Sequence, residues 1–180
     1  MASLVINNVK VEATPGEDLL SVARRNRAHI GFVCDGNGLC TTCECKILSG
    51  AENLTPANEV ERNWLPPDRL RRGYRLGCQT YLKQDGNVRV LTRAEEIRRL
   101  WAAMFNPPAG SSGVDSLNRF LGYVVELNLD HLSNFPQNLL NTVSRLGLMG
   151  TIMPVRNGGR WAQDVGAIID TQTEIDTTAS

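Results

Sequence analysis

Long hydrophobic runs are missing from this sequence. The longest uncharged apolar stretch, Leu146 to Val155, is about half the ~20 residues that a membrane-spanning helix needs, so no transmembrane segment is expected. The first residues, Met1-Ala2-Ser3-Leu4-Val5-Ile6, show neither the basic start nor the apolar core of a secretory signal, and they read directly into a strand. No Ser/His/Asp set and no phosphate-binding loop is present, so the chain is not expected to be an enzyme. Aromatic residues do not interleave with basic ones and the formal net charge is zero, which speaks against nucleic acid as a partner. No internal repeat is visible.

What is present is the composition of a folded protein, 42% hydrophobic and 21% charged. The zero net charge hides an asymmetry. Residues 1–93 carry 13 Lys and Arg against 10 Asp and Glu, and residues 94–180 carry 6 against 9. Five cysteines without an export signal point to a reducing compartment, where grouped thiols more often hold metal than form disulfides.

Along the chain, apolar residues alternate from Leu4 to Ala13 around Asn7-Asn8, predicting a hairpin of Ser3–Ile6 and Val9–Ala13. Leu19, Leu20 and Ala23 predict a helix over Glu17–Ala28. A loop rich in Gly and Cys spans residues 31–43. A strand over Glu44–Leu48 and a helix over Pro56–Leu65, ended by Pro66-Pro67, come next. Gly73–Thr80 reads as a second loop and Asn87–Leu91 as a last strand, so a compact α+β unit is expected over residues 1–93. Ala94–Phe105 predicts an amphipathic helix, and Asn106–Gly113 has linker composition, giving a helix-and-linker segment over 94–113. Over 114–170, Leu117, Leu121, Val124 and Val125 mark one helix. Leu139, Val143 and Leu146 mark another, begun near Pro136. The polar tail, 171–180, is expected to be disordered.

The chemistry lies in Cys34-x5-Cys40-x2-Cys43 and in Cys78, 35 positions further on. An iron–sulfur cluster needs four converging thiolates and nearby backbone N–H groups. Three ligands within ten residues must curl around it, and Gly31, Gly36 and Gly38 supply the backbone freedom. Thr41 and Thr42 can add hydroxyl donors near the sulfurs, and Gly77 lets Cys78 approach closely. The run is unlike the paired knuckles of zinc ribbons. A Rieske-type site takes two histidines, and of His29 and His131 only His29 is near. Cys45, two residues past a ligand on a strand, is expected to pack as a small hydrophobe.

On these residues, and on the "YRLGCQT" segment of Tyr74–Thr80, residues 1–93 resemble the [2Fe-2S] ferredoxin family. The plant-type subclass has four residues between its first two cysteines. Five stand here, so the chain is similar to the adrenodoxin and bacterial-assembly subclass. The resemblance implies a β-grasp fold, a [2Fe-2S] cluster on Cys34, Cys40, Cys43 and Cys78, and one-electron transfer. Gly36, Gly38, Thr41, Thr42 and Gly77 are the residues expected around the cluster.

Diffusing ferredoxins are typically strongly acidic, whereas this segment has a formal +3, or about +1 with an oxidised four-thiolate cluster. Where the adrenodoxin-like group places an acidic docking helix, Arg62, Arg69, Arg71, Arg72 and Arg75 outnumber Glu59, Glu61 and Asp68. A redox partner with an acidic docking face, or a fixed place in an assembly, fits better. The stretch Ser144–Trp161 also resembles small envelope proteins of green bacterial chlorosomes, some of which join such a tail to an adrenodoxin-like domain. That resemblance implies an electron carrier anchored to a photosynthetic envelope, in peripheral contact with lipid on the cytoplasmic side. Two alternatives stay open at this point. One is a freely diffusing ferredoxin serving an oxygenase or an iron–sulfur assembly system. The other is a mainly structural envelope or scaffold protein.

Overall fold

The computed structural model describes residues 2–155 and 158–178. Strands β1 (Ala2–Ile6) and β2 (Val9–Ala13) form the expected hairpin. Asn7 and Asn8 both take left-handed φ angles, 54° and 71°, as a two-residue turn between right-twisted strands requires. Helix α1 (Leu19–Arg25) is capped by Asp18, whose carboxylate accepts from the Ser21 amide, and it buries Leu19, Leu20, Val22 and Ala23. It is shorter than its apolar spacing suggests because the chain turns left-handed at Arg27 (φ 53°).

Strand β3 (Glu44–Ser49), helices α2 (Glu59–Trp64) and α3 (Pro67–Arg71), and strands β4 (Tyr74–Leu76) and β5 (Asn87–Thr92) follow. The sheet order is β2-β1-β5-β3-β4. β1 and β5 run parallel, with Leu4 facing Val88 and Ile6 facing Val90, and the other neighbours run antiparallel. This mixed sheet with α1 packed on it is the β-grasp arrangement. Helix α2 ends just before Pro66-Pro67, as expected, and Pro67 also starts α3 at a position where its missing N–H costs nothing. The expected loop Gly73–Thr80 contains β4, whose three residues are too few to show a period.

Helix α4 (Arg93–Phe105) begins on a Thr92 cap. Helix α5 (Gly113–Ile152) begins on a capping box of Ser112 and Asp115. The two helices expected on either side of Pro136 are thus one through that residue, and the break comes at Gly147 (φ 74°, ψ 168°). Proline removes one N–H there, and the carbonyl it frees belongs to Leu132, on a face open to water. Helix α6 (Gly158–Thr178) continues through Thr171–Thr178, where composition predicts disorder; Ala179 and Ser180 lie outside the described residues.

The later helices lie against the ferredoxin-like sheet and helices. Ile168 is 5% exposed and belongs to the same core as Leu4, Val22 and Val88, with Trp161 and Val165 packed against it. Tyr123 of α5 donates to Glu96 of α4 at 2.9 Å, and Glu126 meets Arg69 and Arg72.

Gly50 marks a tight point of the sheet. Its φ is +81°, and a Cβ there would sit 2.1 Å from the Asn87 carbonyl oxygen where β5 begins. Gly50→Ala is expected to cost about 2 kcal/mol or more, from left-handed strain plus displacement of β5. Denaturant titration checks this, and an unchanged midpoint would mean the β3–β5 junction yields freely.

Candidate metal centre

The loop between α1 and β3 must turn sharply enough to aim three thiols inward. It does so with four left-handed residues: Asp35 (φ 51°), Gly36 (83°), Gly38 (64°) and Thr41 (54°). Two of these are not glycine, and Thr41 is β-branched, so the loop carries strain that its surroundings must hold. Arg24 holds Asp35 at 2.7 Å, and Arg93 reaches the Thr41 carbonyl and hydroxyl at 3.3 Å each.

The cysteines form two pairs. Cys43 and Cys78 bring their sulfurs to 3.4 Å, and Cys40 hydrogen-bonds to Cys34. Four thiols gathered in two pairs are residues that would hold a two-iron cluster. Within each pair one thiol becomes acidic because the other donates to it. Cys40 holds Cys34 down at about 5 against the opposing effect of burial, and Cys43 likewise lowers Cys78. The donors Cys40 and Cys43 are raised. Backbone amides help shape the loop: Leu39 N–H points at Cys34 Sγ from 3.5 Å, and Asn37 N–H donates to the Cys34 carbonyl at 3.1 Å. Cys34, Cys43 and Cys78 are buried and Cys40 is partly exposed. This donor set fits a [2Fe-2S] cluster.

The other expected residues divide by role. Thr42 Oγ1 lies 3.0 Å from Cys40 Sγ, where either atom can donate, and accepts from Val33 N–H at 3.1 Å. The Thr41 hydroxyl is engaged by Arg93, and its residue supplies a turn. Gly36 and Gly38 provide positive φ, and a Cβ on Gly77 would stand 3.0 Å from the Cys43 carbonyl. Cys45 is 1% exposed and 3.6 Å from the Arg75 carbonyl. Burial, with Glu44 and Glu61 adding to it, pushes its thiol up and keeps it protonated.

Glu61 is the residue that composition and spacing passed over. Fully buried, it accepts from Arg75 Nε and Nη2 (2.8 and 2.9 Å), the Leu76 amide (3.0 Å) and Thr80 Oγ1 (3.1 Å). These groups flank Cys78, so one carboxylate fixes the segment that delivers the distal thiol. Its signal was the Asn58-x-x-Glu61 capping box, which the helix does form. Two arginines of the basic segment are consumed inside: Arg75 on Glu61, and Arg69, 2% exposed, on Glu44 at 2.8 Å and over the Tyr74 ring. Arg72 is paired with Asp68 and Glu126. Arg62, Arg71 and Arg72 are exposed, Arg71 also meeting Asp68 at 3.3 Å.

The profile of the 2Fe-2S iron–sulfur cluster binding domain matches residues 5–83. The 2Fe-2S ferredoxin-5 of Aquifex aeolicus is 35% identical over 86 residues, which cover 45% of this chain and 85% of that protein. Two further relatives come from Chlorobaculum tepidum. Chlorosome protein I is 32% identical over 150 residues, 82% of this chain, and Chlorosome protein J is 33% identical over 159 residues, 88% of this chain. Both matches therefore run well beyond residue 93. The chain spans 57% and 65% of the length of these two proteins.

Serine at Cys34, Cys40, Cys43 or Cys78 is expected to abolish or sharply weaken cluster binding, while Cys45→Ser keeps it at a stability cost of about 1 kcal/mol. Iron and acid-labile sulfide counts with visible absorption decide this; a Cys45 variant that loses the cluster while one of the others keeps it reverses the assignment. Glu61→Gln, which strands Arg75 beside a neutral amide, is expected to cost about 3 kcal/mol. Thermal unfolding and cluster half-life should fall together. An unaffected cluster half-life would leave Glu61 with no part in placing Cys78.

Proposed function

Since the chain belongs to the [2Fe-2S] ferredoxin family, we propose that it carries single electrons as a component anchored to a photosynthetic envelope of the chlorosome kind. Cys34 with Cys40, and Cys43 with Cys78, are the ligands we propose for the [2Fe-2S] cluster. The ferredoxin domain supports electron transfer: Cys34, Cys40, Cys43 and Cys78 would hold a cluster that supplies one-electron chemistry, and Cys40, partly exposed, is the ligand a docked partner would be able to approach.

The observation that carries the anchored reading is the outer face of α5. Val114, Leu121, Val125, Leu129, Leu132 and Leu140 follow one another at helical spacing, each 48% exposed or more. Monomeric soluble proteins rarely leave so continuous an apolar strip uncovered. No helix among the described residues is long and apolar enough to cross a membrane, so contact along the surface of an envelope is the mode that suits it. The two chlorosome relatives match this part of the chain as well as the cluster domain, which supports the same reading. The cytoplasmic side of that envelope is where we place the protein. A redox partner with an acidic face would meet Arg62, Arg71 and Arg72, the arginines of the basic segment that stay on the surface.

Full-length protein is expected to take up one electron per two irons in a dithionite titration and to sediment with phosphatidylglycerol–phosphatidylcholine vesicles. Burying one leucine contributes about 1.5–3 kcal/mol, so Leu132→Glu with Leu140→Glu should lower the vesicle-bound fraction constant roughly tenfold or more and leave the spectrum alone. Full-length protein that stays free of the vesicles would leave a diffusing carrier as the better description, and binding that the double variant does not change would take the contact away from α5.

A further inference from the structure

The segment that follows the apolar strip closes over the cluster loop. Arg145 Nη2 donates to the Asn37 carbonyl at 2.7 Å and to the Gly38 carbonyl at 3.3 Å. Asn37 Nδ2 donates in turn to the Pro154 carbonyl at 2.5 Å. Trp161 Nε1 donates to the Phe32 carbonyl at 3.2 Å, its ring edge-on to Phe32. Asp164 takes Arg24, the same guanidinium that holds the left-handed Asp35. Residues 32–38 are therefore gripped by Arg145 of α5, by the Pro154 carbonyl between α5 and α6, and by Trp161 of α6.

Two of the gripped carbonyls share their peptide planes with amides that face sulfur, directly or through Thr42. The Gly38 carbonyl and the Leu39 N–H are one peptide unit, and that N–H points at Cys34 from 3.5 Å. The Phe32 carbonyl belongs with the Val33 N–H, which donates to Thr42 Oγ1, and this hydroxyl lies against Cys40. Donation to a peptide carbonyl polarises the whole unit and makes its N–H a stronger donor. Hydrogen bonds to the sulfurs are among the features that set the potential of an iron–sulfur cluster, because they favour the more negative, reduced form.

We propose that Arg145 and Trp161 are positioning residues that raise the reduction potential of the cluster and slow its loss, by holding and polarising the peptides that face Cys34 and, through Thr42, Cys40. Arg145 adds its positive charge to the effect of its hydrogen bonds. Trp161 is neutral and acts by hydrogen bonding alone. The inference rests on the cluster ligation proposed above and adds to it a role for the C-terminal helices beyond anchoring.

The experiment uses the full chain with its cluster. Midpoint potential, low-temperature EPR and the rate of iron transfer to bathophenanthroline are measured for the unaltered protein, Arg145→Ala, Arg145→Lys, Trp161→Phe and, as a control on the same helix, Arg119→Ala. Arg145→Ala is expected to move the midpoint to a more negative value and to release iron roughly tenfold faster, the scale of outer-shell losses at metal sites. Arg145→Lys should recover most of both, Trp161→Phe should shift the midpoint the same way, and Arg119→Ala should match the unaltered protein. If Arg145→Ala and Trp161→Phe both keep the original potential and release rate, the inference is overturned while the ferredoxin reading stands. If the unaltered protein itself shows no reducible cluster, the ferredoxin reading is what fails. Should Arg145→Ala not assemble a cluster, Arg145→Lys and Trp161→Phe decide: a displaced potential in Trp161→Phe supports the inference, and original values in both overturn it.

Discussion

Four thiolates will share a site only if something compensates their mutual repulsion, and the backbone must be bent into place to let amides do part of that work. The loop from Phe32 to Cys43 meets this demand with left-handed residues at Asp35, Gly36, Gly38 and Thr41. Glycine accepts such angles at no steric cost; aspartate and threonine do not. The surrounding structure therefore has to hold them, and much of it is arranged to do so. Arg24 from α1 holds Asp35, Arg93 at the start of α4 holds Thr41, and Trp64 from α2 donates to the Gly38 carbonyl at 3.0 Å. Asn7, in the turn of the first hairpin, reaches the His29 carbonyl and Thr92, tying the entrance of the loop to the end of β5. Elements distant in sequence meet on one loop because its conformation cannot persist unaided.

The distal ligand poses the opposite problem. Cys78 sits on a segment with little regular structure, and precision comes from a buried charge. Glu61 spends its lone pairs on Arg75, Leu76 and Thr80, so the residues before and after the thiol are fixed by one carboxylate. A buried acid is costly unless it is paired and hydrogen-bonded, and here it is both. Glu44 and Arg69 repeat the device under Tyr74. What composition presents as an excess of surface arginine is in part the counter-charge of this interior.

The same distinction explains what could be read from the residues alone. Features that depend on local chemistry were legible: the Asn7-Asn8 turn, the apolar face of α1, the alternation of β5, and the Cys34, Cys40, Cys43 and Cys78 spacing. Features decided by distant partners were not. β4 is a strand because Glu44–Lys46 lies beside it, not because Tyr74–Leu76 has a pattern. Pro136 and Gly147 have reversed roles, since a proline on an open helical face costs only one carbonyl's partner while Gly147 leaves the helical region outright. The polar end of α6 is helical in continuity with Trp161, Val165 and Ile168, which pack on the core. The hydroxyls of Thr41 and Thr42 looked alike in sequence, and only the neighbouring Arg93 and Val33 separate them.

Helix α5 joins the two ends of the molecule's chemistry. Its outward apolar strip runs to Leu140, and Arg145 lies five residues further along, roughly 7.5 Å at the rise of an α-helix. The break at Gly147 comes just after Arg145, so the strip and the arginine belong to one unbroken stretch of helix. A displacement of that stretch on its outer side would be carried to the carbonyls of Asn37 and Gly38 without crossing a hinge. The hydrogen bonds at stake are worth about 1 kcal/mol each, comparable to a tenfold change in an equilibrium. They are weak enough to respond to what covers the helix. They are also close enough to the cluster sulfurs for such a response to register as a change in potential.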